Sequence, residues 1–370
     1  MTRRMLSRSM VRRLGVILTM VGAAGVLVLP HVIYAQQPAA GAELDIMPVR
    51  GNVFMIVGGG SNVTVSAGVD GVLLVDAGSA AMADKVLEKV KEIGRMVAGA
   101  PARLTTCVGP PCYGTGMLGP YTPYGWAGPS YDAVIGSPRA LKPIRWIIQT
   151  TFAPDHFGAT QKIAVAGKTY NGGEAGRLVG DTTPATVIAH ENLLKRMTES
   201  KIPEAVWPTE TYYIPLYKMS EYVNGEGVQM YHAPAANTDT DTFVFFRFSD
   251  VISAGDLYTP DRYPMIDVAQ GGTVQGVIDG LNKIIEIAYP ENRHQGGTMV
   301  ISGHGRLGDT ADVAIYRNVI EVIRDRIQDL IGQGKSLQQV KAAKPTLDYD
   351  GIFGSPDMFI EAVYQSLTRK

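Results

Sequence analysis

The order of the predicted strands and helices is the feature that most constrains the fold of this chain. Short apolar segments typical of strands come in two groups, and amphipathic helices follow each group. The first group comprises segments 52–57, 62–66, 72–76, 144–149 and 185–189, with helices at 80–93, about 158–167 and 190–198. The second comprises 210–215, 228–232, 242–248, 251–254 and 298–302, with helices at 273–288, about 310–332 and 355–368. This order predicts an α/β fold with a two-sheet core and helices outside it.

The first 35 residues predict an export signal rather than a part of the fold. The apolar segment Leu14–Leu29 follows a positively charged start, and Ala35 is the small residue after which cleavage is expected. An uncleaved membrane anchor is the less favoured alternative, because the segment is shorter than the roughly 20 residues that a bilayer requires. Paired arginines leave both general and twin-arginine export open. We expect a periplasmic or secreted protein with a flexible lead-in at 36–44.

Composition excludes several classes of partner. The chain has 370 residues, of which 45% are hydrophobic, so it can bury a sizeable core. Its formal net charge of −1 does not indicate a nucleic-acid partner or stable association with a membrane after signal cleavage. An unknown small-molecule substrate or ligand is therefore the expected partner, and the sequence does not fix the oligomeric state.

A long segment without a regular pattern lies at about 98–141. It is rich in glycine, proline and tyrosine, which predicts a surface insertion that either covers a site or packs on itself. The chain's two cysteines, Cys107 and Cys112, lie in this segment. In an oxidising compartment they could form a small disulfide loop, whereas their spacing does not suit a metal knuckle.

Four potential metal ligands directly follow predicted buried strands. Asp155 and His156 stand in the turn after segment 144–149, Asp256 follows 251–254, and His304 follows 298–302. Polar side chains at strand ends commonly face a functional site. Two imidazoles and two carboxylates suit zinc, manganese or iron. On spacing alone, a capping or hydrogen-bonding pair at Asp155 and His156 and a tight turn at His304 are the favoured explanations of these residues.

The order of these motifs resembles that of the metallo-β-lactamase superfamily from about residue 45 to 335. The segment 52–78 is similar to the family's opening hairpin, and Asp76 matches its structural aspartate. Segment 150–156 aligns with the family's Thr-His-x-His-x-Asp-His signature, and 235–241 aligns with its Ala-His-Thr-x-Gly-Asp. Asp256 matches the bridging aspartate and His304 the last histidine. The resemblance implies an αββα four-layer sandwich of two mixed β-sheets flanked by helices, with a helical extension at 336–370 packed on this domain.

Three residues depart from the family pattern. Thr151, Ala153 and Asn237 stand where the family has the histidines of its first metal site. Alanine has no donor atom, and threonine and asparagine are poor zinc ligands, so the first metal site should be absent. By contrast, the residues that match the family's second metal site are all present. The resemblance therefore implies the ligand set Asp155, His156, Asp256 and His304. We expect one zinc, manganese or iron ion, or none.

The resemblance implies a hydrolase acting on an ester, amide or similar bond. One cation would activate water, and Asp256 or Asp155 would serve as catalytic carboxylates. The alternatives are a catalytically inactive binding module for a small molecule or protein, and a purely structural exported domain.

Several nearby residues have simpler interpretations. Asp155 and His156 follow Pro154 and could cap the next helix. His190 is expected to cap or pack a helix, and His232 to hydrogen-bond a neighbour at a strand end. For Asp261 and Arg262 an ion pair that holds the loop is favoured over lining a cleft.

Overall fold

A computed structural model describes residues 43–99, 141–170, 182–289 and 296–369. The predicted signal peptide, most of the lead-in and nearly all of the insertion with Cys107 and Cys112 lie outside these ranges. In the described part, no helix is both long enough and apolar enough to cross a membrane.

The first sheet has seven strands in the order β1-β2-β3-β4-β5-β8-β9. Their bounds are β1 Asp45–Arg50, β2 Val53–Gly59, β3 Ser61–Gly68, β4 Gly71–Val75, β5 Ile144–Ile148, β8 Thr186–His190 and β9 Glu210–Tyr212. The first four strands pair antiparallel and the last four pair parallel, so the sheet is mixed. The short strands β6 (Thr169–Tyr170) and β7 (Thr182–Thr183) form a separate pair.

The second sheet has six strands in the order β10-β11-β12-β13-β14-β15. Their bounds are β10 Leu216–Lys218, β11 Val228–His232, β12 Thr242–Phe246, β13 Val251–Ser253, β14 Met299–Ile301 and β15 Gly308–Asp309. Only β13 and β14 pair parallel, so this sheet is also mixed and the carboxyl ends of these two strands are neighbours.

The described residues form nine α-helices, which flank the sheets or connect their strands. They are α1 Ala83–Gly99, α2 Pro154–Phe157, α3 Thr160–Ala166, α4 Glu191–Glu199, α5 Val274–Ile287, α6 Thr310–Gly332, α7 Leu337–Ala342, α8 Asp350–Phe353 and α9 Asp357–Thr368. Three 3-10 turns, at Ala80–Met82, Glu204–Val206 and Gly255–Leu257, complete the regular structure.

Alternation along the strands creates the layers, because successive side chains point to opposite faces. In β2, Val53 and Met55 belong to the cluster between the sheets, whereas Phe54 and Ile56 belong to the cluster beneath α1 and α3. The inter-sheet cluster also contains side chains of the second sheet, such as Phe246 and Val251 from β12 and β13. The structure therefore confirms the predicted αββα four-layer sandwich.

The outer face of the second sheet packs against α5, α6 and the C-terminal helices. Val340 on α7 and Phe359 and Val363 on α9 join the same buried cluster as Ile320 of α6 and Leu281 of α5. Residues 336–369 thus share a hydrophobic core with the sandwich.

The sequence missed the shortest and most exposed elements. Strand β1 is largely exposed and lacks a clear hydrophobic alternation, and β10, β15, α7 and α8 have only two to six residues each. Segment 298–302 was expected to contain the last strand, which is wrong because β15 follows β14 and pairs antiparallel with it. The helix expected near 158–167 is α3, and the single-turn helix α2, which the sequence did not predict, precedes it and contains Asp155 and His156.

Candidate metal centre

Asp155 and His156 lie within the single-turn helix α2, which begins directly after the β5 strand and its short loop. Both side chains are buried. The residues before α2 and α3 are Ala153 and Ala159, and neither helix has a side-chain cap. The interpretation of Asp155 and His156 as helix caps is therefore wrong, and their side chains are available for another role.

Asp256 and His304 reach the same place from the second sheet. Asp256 lies in the 3-10 turn that follows β13, and His304 lies in the loop that follows β14. Since β13 and β14 run parallel and adjacent, their following loops lie at the same sheet edge. A backbone hydrogen bond of 2.8 Å from Asn62 to Gly303 connects the His304 loop to the first sheet.

The four side chains predicted as ligands come together. His156 Nε2 lies 3.0 Å from Asp256 Oδ1, and His304 Nε2 lies 3.3 Å from the same oxygen. His304 Nε2 is also 3.2 Å from Asp155 Oδ2. Ligand atoms of Asp155, His156 and His304 all lie within 4.8 Å of one another. Side chains from three separate strand ends thus share one small volume.

The donor atoms at this centre fit a bound cation. Asp155 Oδ2, His156 Nε2 and Asp256 Oδ1 are buried, and among the described residues none has a partner with hydrogen-bond geometry, although the ion-pair distances between these groups are short. Leaving several buried polar atoms unpaired is costly, at about 1–3 kcal/mol each. Nitrogen and carboxylate donors in this number suit zinc, manganese or iron. A metal ion would satisfy all three orphaned atoms at once.

Asp76 fixes the orientation of His156. Its Oδ2 lies 2.7 Å from His156 Nδ1, and the backbone N–H and side-chain hydroxyl of Thr150 donate to its two oxygens at 2.9 Å and 2.7 Å. A carboxylate that accepts from Nδ1–H leaves Nε2 as the free donor atom, which is how carboxylates orient histidine ligands. Asp76 adopts a left-handed backbone with φ 62°, which turns the chain here from β4 toward the centre.

The pKa shifts describe a strongly coupled cluster. Burial alone would lower the pKa of His156, but the carboxylates of Asp256 and Asp76 raise it well above its usual value. Burial alone would raise the pKa values of Asp155 and Asp256, but the adjacent histidines outweigh it and lower both. The two carboxyl groups are therefore ionised at neutral pH, as a cation site requires.

The positions that match the family's first metal site have other contacts. Thr151 bonds through its side chain to Asp241, and Asn237 Nδ2 donates to the backbone oxygen of Asp256 at 2.6 Å. Ala153 offers no donor atom. Within the described ranges, the only group of three or more histidine, cysteine or acidic side chains close enough to share an ion is the one containing His304.

Asp241 is a buried carboxyl group that sequence reasoning did not single out. The Thr238 N–H donates to its Oδ2 at 2.6 Å, whereas its Oδ1 has no hydrogen-bond geometry with any partner. Burial is the main cause that raises its pKa, to about 7, although bonds from Thr238 and Thr151 oppose it. The one sequence signal is that Asp241 matches the final aspartate of the Ala-His-Thr-x-Gly-Asp motif, and this match does not indicate the burial of its side chain.

Arg262 lines a narrow cleft beside the centre, together with Asp256, Thr259, Met265 and His304. Among the described residues Arg262 has no ion pair, so the expected pair with Asp261 is not formed. Instead Asp261 Oδ2 accepts from the Arg306 backbone N–H at 3.3 Å. The cleft-lining interpretation, which the sequence ranked second, is the one that the structure shows.

The wall that contains Arg262 is anchored to distant parts of the chain. Tyr316 Oη on α6 donates to the Arg262 carbonyl at 3.2 Å. The neighbouring Tyr263 is buried, stacks on Phe359 at a centroid distance of 5.0 Å, and donates to Asp350 at 2.8 Å. The C-terminal helices therefore support the cleft wall from behind.

Two further histidines have the simple roles that the sequence predicts. His190 caps α4, where its Nδ1 accepts from the Asn192 N–H at 3.3 Å. His232 ends β11, and its Nδ1 donates to the Asp241 carbonyl at 3.1 Å. The two rings stack in parallel with centroids 3.6 Å apart. Neither joins the candidate metal centre.

Comparisons with known proteins show which fold this arrangement belongs to. No protein-family model matches the chain, and no curated protein matches it. The stereoselective inverting sec-alkylsulfatase Pisa1 from Pseudomonas sp. is similar, with a TM-score of 0.57 and 15% identity over 87% of this chain and 50% of that one. A double mutant of PisA1 has a TM-score of 0.58 and 14% identity, with the same coverage of both chains. The DIM-1 metallo-β-lactamase has a TM-score of 0.47 and 13% identity, over 76% of this chain and 98% of that one.

The chain has the metallo-β-lactamase fold, as the order of its motifs predicts. It spans half the length of the sulfatase structures that it matches. At these identities the likeness concerns the fold alone, and function has to be argued from the site.

Proposed function

We propose that this chain is a hydrolase that uses one divalent metal ion, held by Asp155, His156, Asp256 and His304. The observation that carries the proposal is the convergence of three buried donor atoms without hydrogen-bond partners, next to His304 Nε2. When bound, the ion supplies a Lewis acid that lowers the pKa of water. Zinc suits the donor set, and manganese or iron is also compatible with it.

The chain's own residues supply orientation and proton transfer. Asp76 holds His156 in one tautomer, so that its Nε2 faces the centre. Asp256 lines the cleft and has its carboxylate ionised, which allows it to take a proton from an attacking water as general base. Asp155 keeps its charge beside His304 and contributes to cation binding.

Arg262 indicates the charge of the substrate. Its guanidinium lines the same cleft as Asp256 and His304 and has no carboxylate partner among the described residues. A planar guanidinium binds carboxylate, sulfate or phosphate groups in a bidentate manner. The proposed substrate is therefore an ester, amide or similar compound with an anionic group near the cleaved bond. Because a similar structure is a sec-alkylsulfatase, sulfate esters belong among the first compounds to test.

The proposed site of action is the periplasm or the exterior. The arginine-rich start, the apolar segment and the small residue Ala35 at the expected cleavage position support export. N-terminal sequencing of the protein from the exported fraction tests this, with a new terminus at Gln36 as the expected result.

One observation favours a second candidate, a binding module without turnover. His156 lies between Asp76 and Asp256, at 2.7 Å and 3.0 Å, and its pKa is raised. A protonated imidazole in that position balances both carboxylates without a metal ion. In this alternative the cleft would bind a small molecule through Arg262 but would not hydrolyse it.

Elemental analysis of the purified mature protein separates the two. The hydrolase proposal expects about one metal ion per chain, and loss of that ion in His304→Ala with the fold intact by circular dichroism. A folded wild-type protein that contains no metal after dialysis against zinc, manganese or iron would contradict it. A thermal-shift screen of anionic compounds would then test the binding module.

A further inference from the structure

A second cavity, of about 410 Å³, lies between the second sheet and helix α5. Strands β11 and β12 form its floor, the segment before β10 forms one side, and α5 forms the other. The lining consists of Pro215, Leu216, Tyr231, His232, Ala233, Pro234, Phe243, Gly276, Asp279, Gly280 and Lys283. None of these residues belongs to the candidate metal centre. The volume lies within the range of small-molecule sites.

The lining of this cavity is aromatic and apolar on one side. Tyr231 is half-buried there and stacks on Phe243, which is fully buried beside it, with a centroid distance of 4.9 Å and an interplanar angle of 2°. Tyr231 Oη donates to Gln229 at 2.9 Å, so that hydroxyl already has an acceptor. Two prolines and a leucine add further apolar surface. Such a lining favours a ligand with a ring-shaped apolar body.

His232 supplies a hydrogen-bond acceptor to this apolar wall. Its Nδ1 faces the Asp241 carbonyl at 3.1 Å, and a carbonyl can only accept. Nδ1 therefore carries the proton, and Nε2 of the neutral ring is an acceptor. Burial, together with His190, lowers the pKa of His232 to about 4, so the ring is neutral at neutral pH. The stack on His190 holds the ring plane in place.

The charged residues at the cavity's rim do not call for a charged ligand. Asp279 and Lys283 lie one turn apart on α5 and are exposed. Gln275 donates to Asp279 at 2.8 Å, and Lys283 donates to Glu286 at 3.0 Å. Each of these charged side chains thus has a partner on α5. The charges of Asp279 and Lys283 also have opposite signs.

We propose that this cavity is a binding site for an uncharged aromatic or alicyclic alcohol, whose hydroxyl donates to His232 and whose ring packs against Tyr231 and the prolines of the wall. The aromatic floor selects the ring, the imidazole nitrogen selects the donor, and the balanced rim disfavours net charge. The site is independent of the proposed hydrolase activity.

Calorimetric titration with 2-naphthol, and with naphthalene as the analogue without a hydroxyl, tests the proposal. We expect saturable binding of one 2-naphthol per chain and weaker binding of naphthalene. Leu216→Trp should abolish binding by filling the cavity. Val165→Trp is the matched control, because Val165 is 68% exposed on α3, and it should bind like the wild type. His304→Ala should also bind normally, which separates this site from the metal centre.

The hydroxyl contact has its own variant. His232→Phe keeps a ring to stack on His190 but removes the acceptor, so the preference for 2-naphthol over naphthalene should fall about threefold to tenfold. Nitrogen NMR of the wild type provides the same information without a variant, because binding should shift the His232 Nε2 resonance. Absence of saturable binding, normal binding by Leu216→Trp, or an unshifted His232 resonance would each overturn the proposal.

Discussion

The candidate centre has two halves that differ in how their polar atoms are used. Around Asp155, His156, Asp256 and His304, ligand atoms converge while three of them lack hydrogen-bond partners. At Thr151 and Asn237, side chains bond to neighbouring protein groups instead.

The difference shows what loss of a metal site requires. Removing histidines leaves a polar volume that must be filled with internal hydrogen bonds or neutral groups. The half around Thr151 and Asn237 has made that adjustment in part. Thr238 donates to Asp241 Oδ2 and burial raises the pKa of Asp241, while Asp241 Oδ1 and the Asn237 amide oxygen have no partner among the described residues. Around His304 the pKa values of Asp155 and Asp256 are lowered instead, so this half keeps its negative charge, and the proposed ion would balance it. Four predictions test this contrast, in order of decreasing effect.

The largest effect is expected for metal content. His304→Ala should lower zinc affinity by more than about 100-fold, since loss of a ligand exceeds the 10–100-fold cost of losing its orienting partner. Thr151→Ala changes the other half and should retain about one ion per chain. Dialysis against buffered zinc followed by mass spectrometry of the metal measures both. Equal metal content in the two variants would remove the distinction between the halves.

Asp241→Asn should change the pH dependence of stability. The folded-state pKa of about 7 lies above the ordinary value of 3.8, so the folded chain holds this proton more tightly than the unfolded chain. The free energy of unfolding therefore falls as the pH rises between these values, and is level above the upper one. Asparagine removes this slope and should stabilise the fold at pH 8 by up to roughly 4 kcal/mol.

Urea unfolding at pH 5 and pH 8 measures this difference. Asp241→Asn should gain more stability at pH 8 than at pH 5. A variant that is destabilised equally at both pH values would show that Asp241 is ionised in the folded chain.

Asp76→Asn should weaken metal binding without abolishing it. The amide can still accept from Thr150, but its hold on His156 Nδ1 is weaker than that of a carboxylate. Outer partners of histidine ligands typically contribute 10–100-fold in affinity, and we expect a loss of about that size. Competition with a chelating dye gives the value. An unchanged affinity, with the fold intact, would mean that the loop backbone alone orients His156.

The smallest effect is expected at Asn237. Asn237→Ala removes the 2.6 Å bond to the Asp256 carbonyl, and it also removes a buried amide oxygen that has no partner. These contributions oppose each other, so the free energy of unfolding should change by less than about 1 kcal/mol. Chemical denaturation measures it, with metal content as the control. A loss of several kcal/mol, or of the metal, would make Asn237 part of the functional half.

The fold could be predicted from the sequence because most strands and helices of the sandwich have local hydrophobic patterns. Polar and apolar residues alternate in β3, β5 is a short and largely apolar strand, and helices α1, α4 and α5 are clearly amphipathic. The sequence also placed the ligands at strand ends, and parallel pairing of β13 with β14 explains why two of those ends meet.

Other features depend on contacts that no local pattern contains. Among the described residues Arg262 has no ion pair, and Asp261 bonds instead to the backbone of Arg306, which is 45 positions away. The raised pKa of Asp241 results from burial beneath neighbouring elements rather than from the residues beside it in the chain. The alcohol-binding cavity likewise exists only once α5 has packed across β11 and β12.

The aromatic support behind the cleft has an evolutionary consequence. Tyr263 contacts Asp350 and Phe359, which lie about ninety positions beyond it in α8 and α9. Substitutions in the C-terminal helices can therefore change the shape of the cleft wall that contains Arg262, while the four predicted metal ligands stay unchanged. Homologues that diverge mainly after residue 336 should differ in this cleft wall and in the compounds that fit beside it, while the candidate metal centre stays the same.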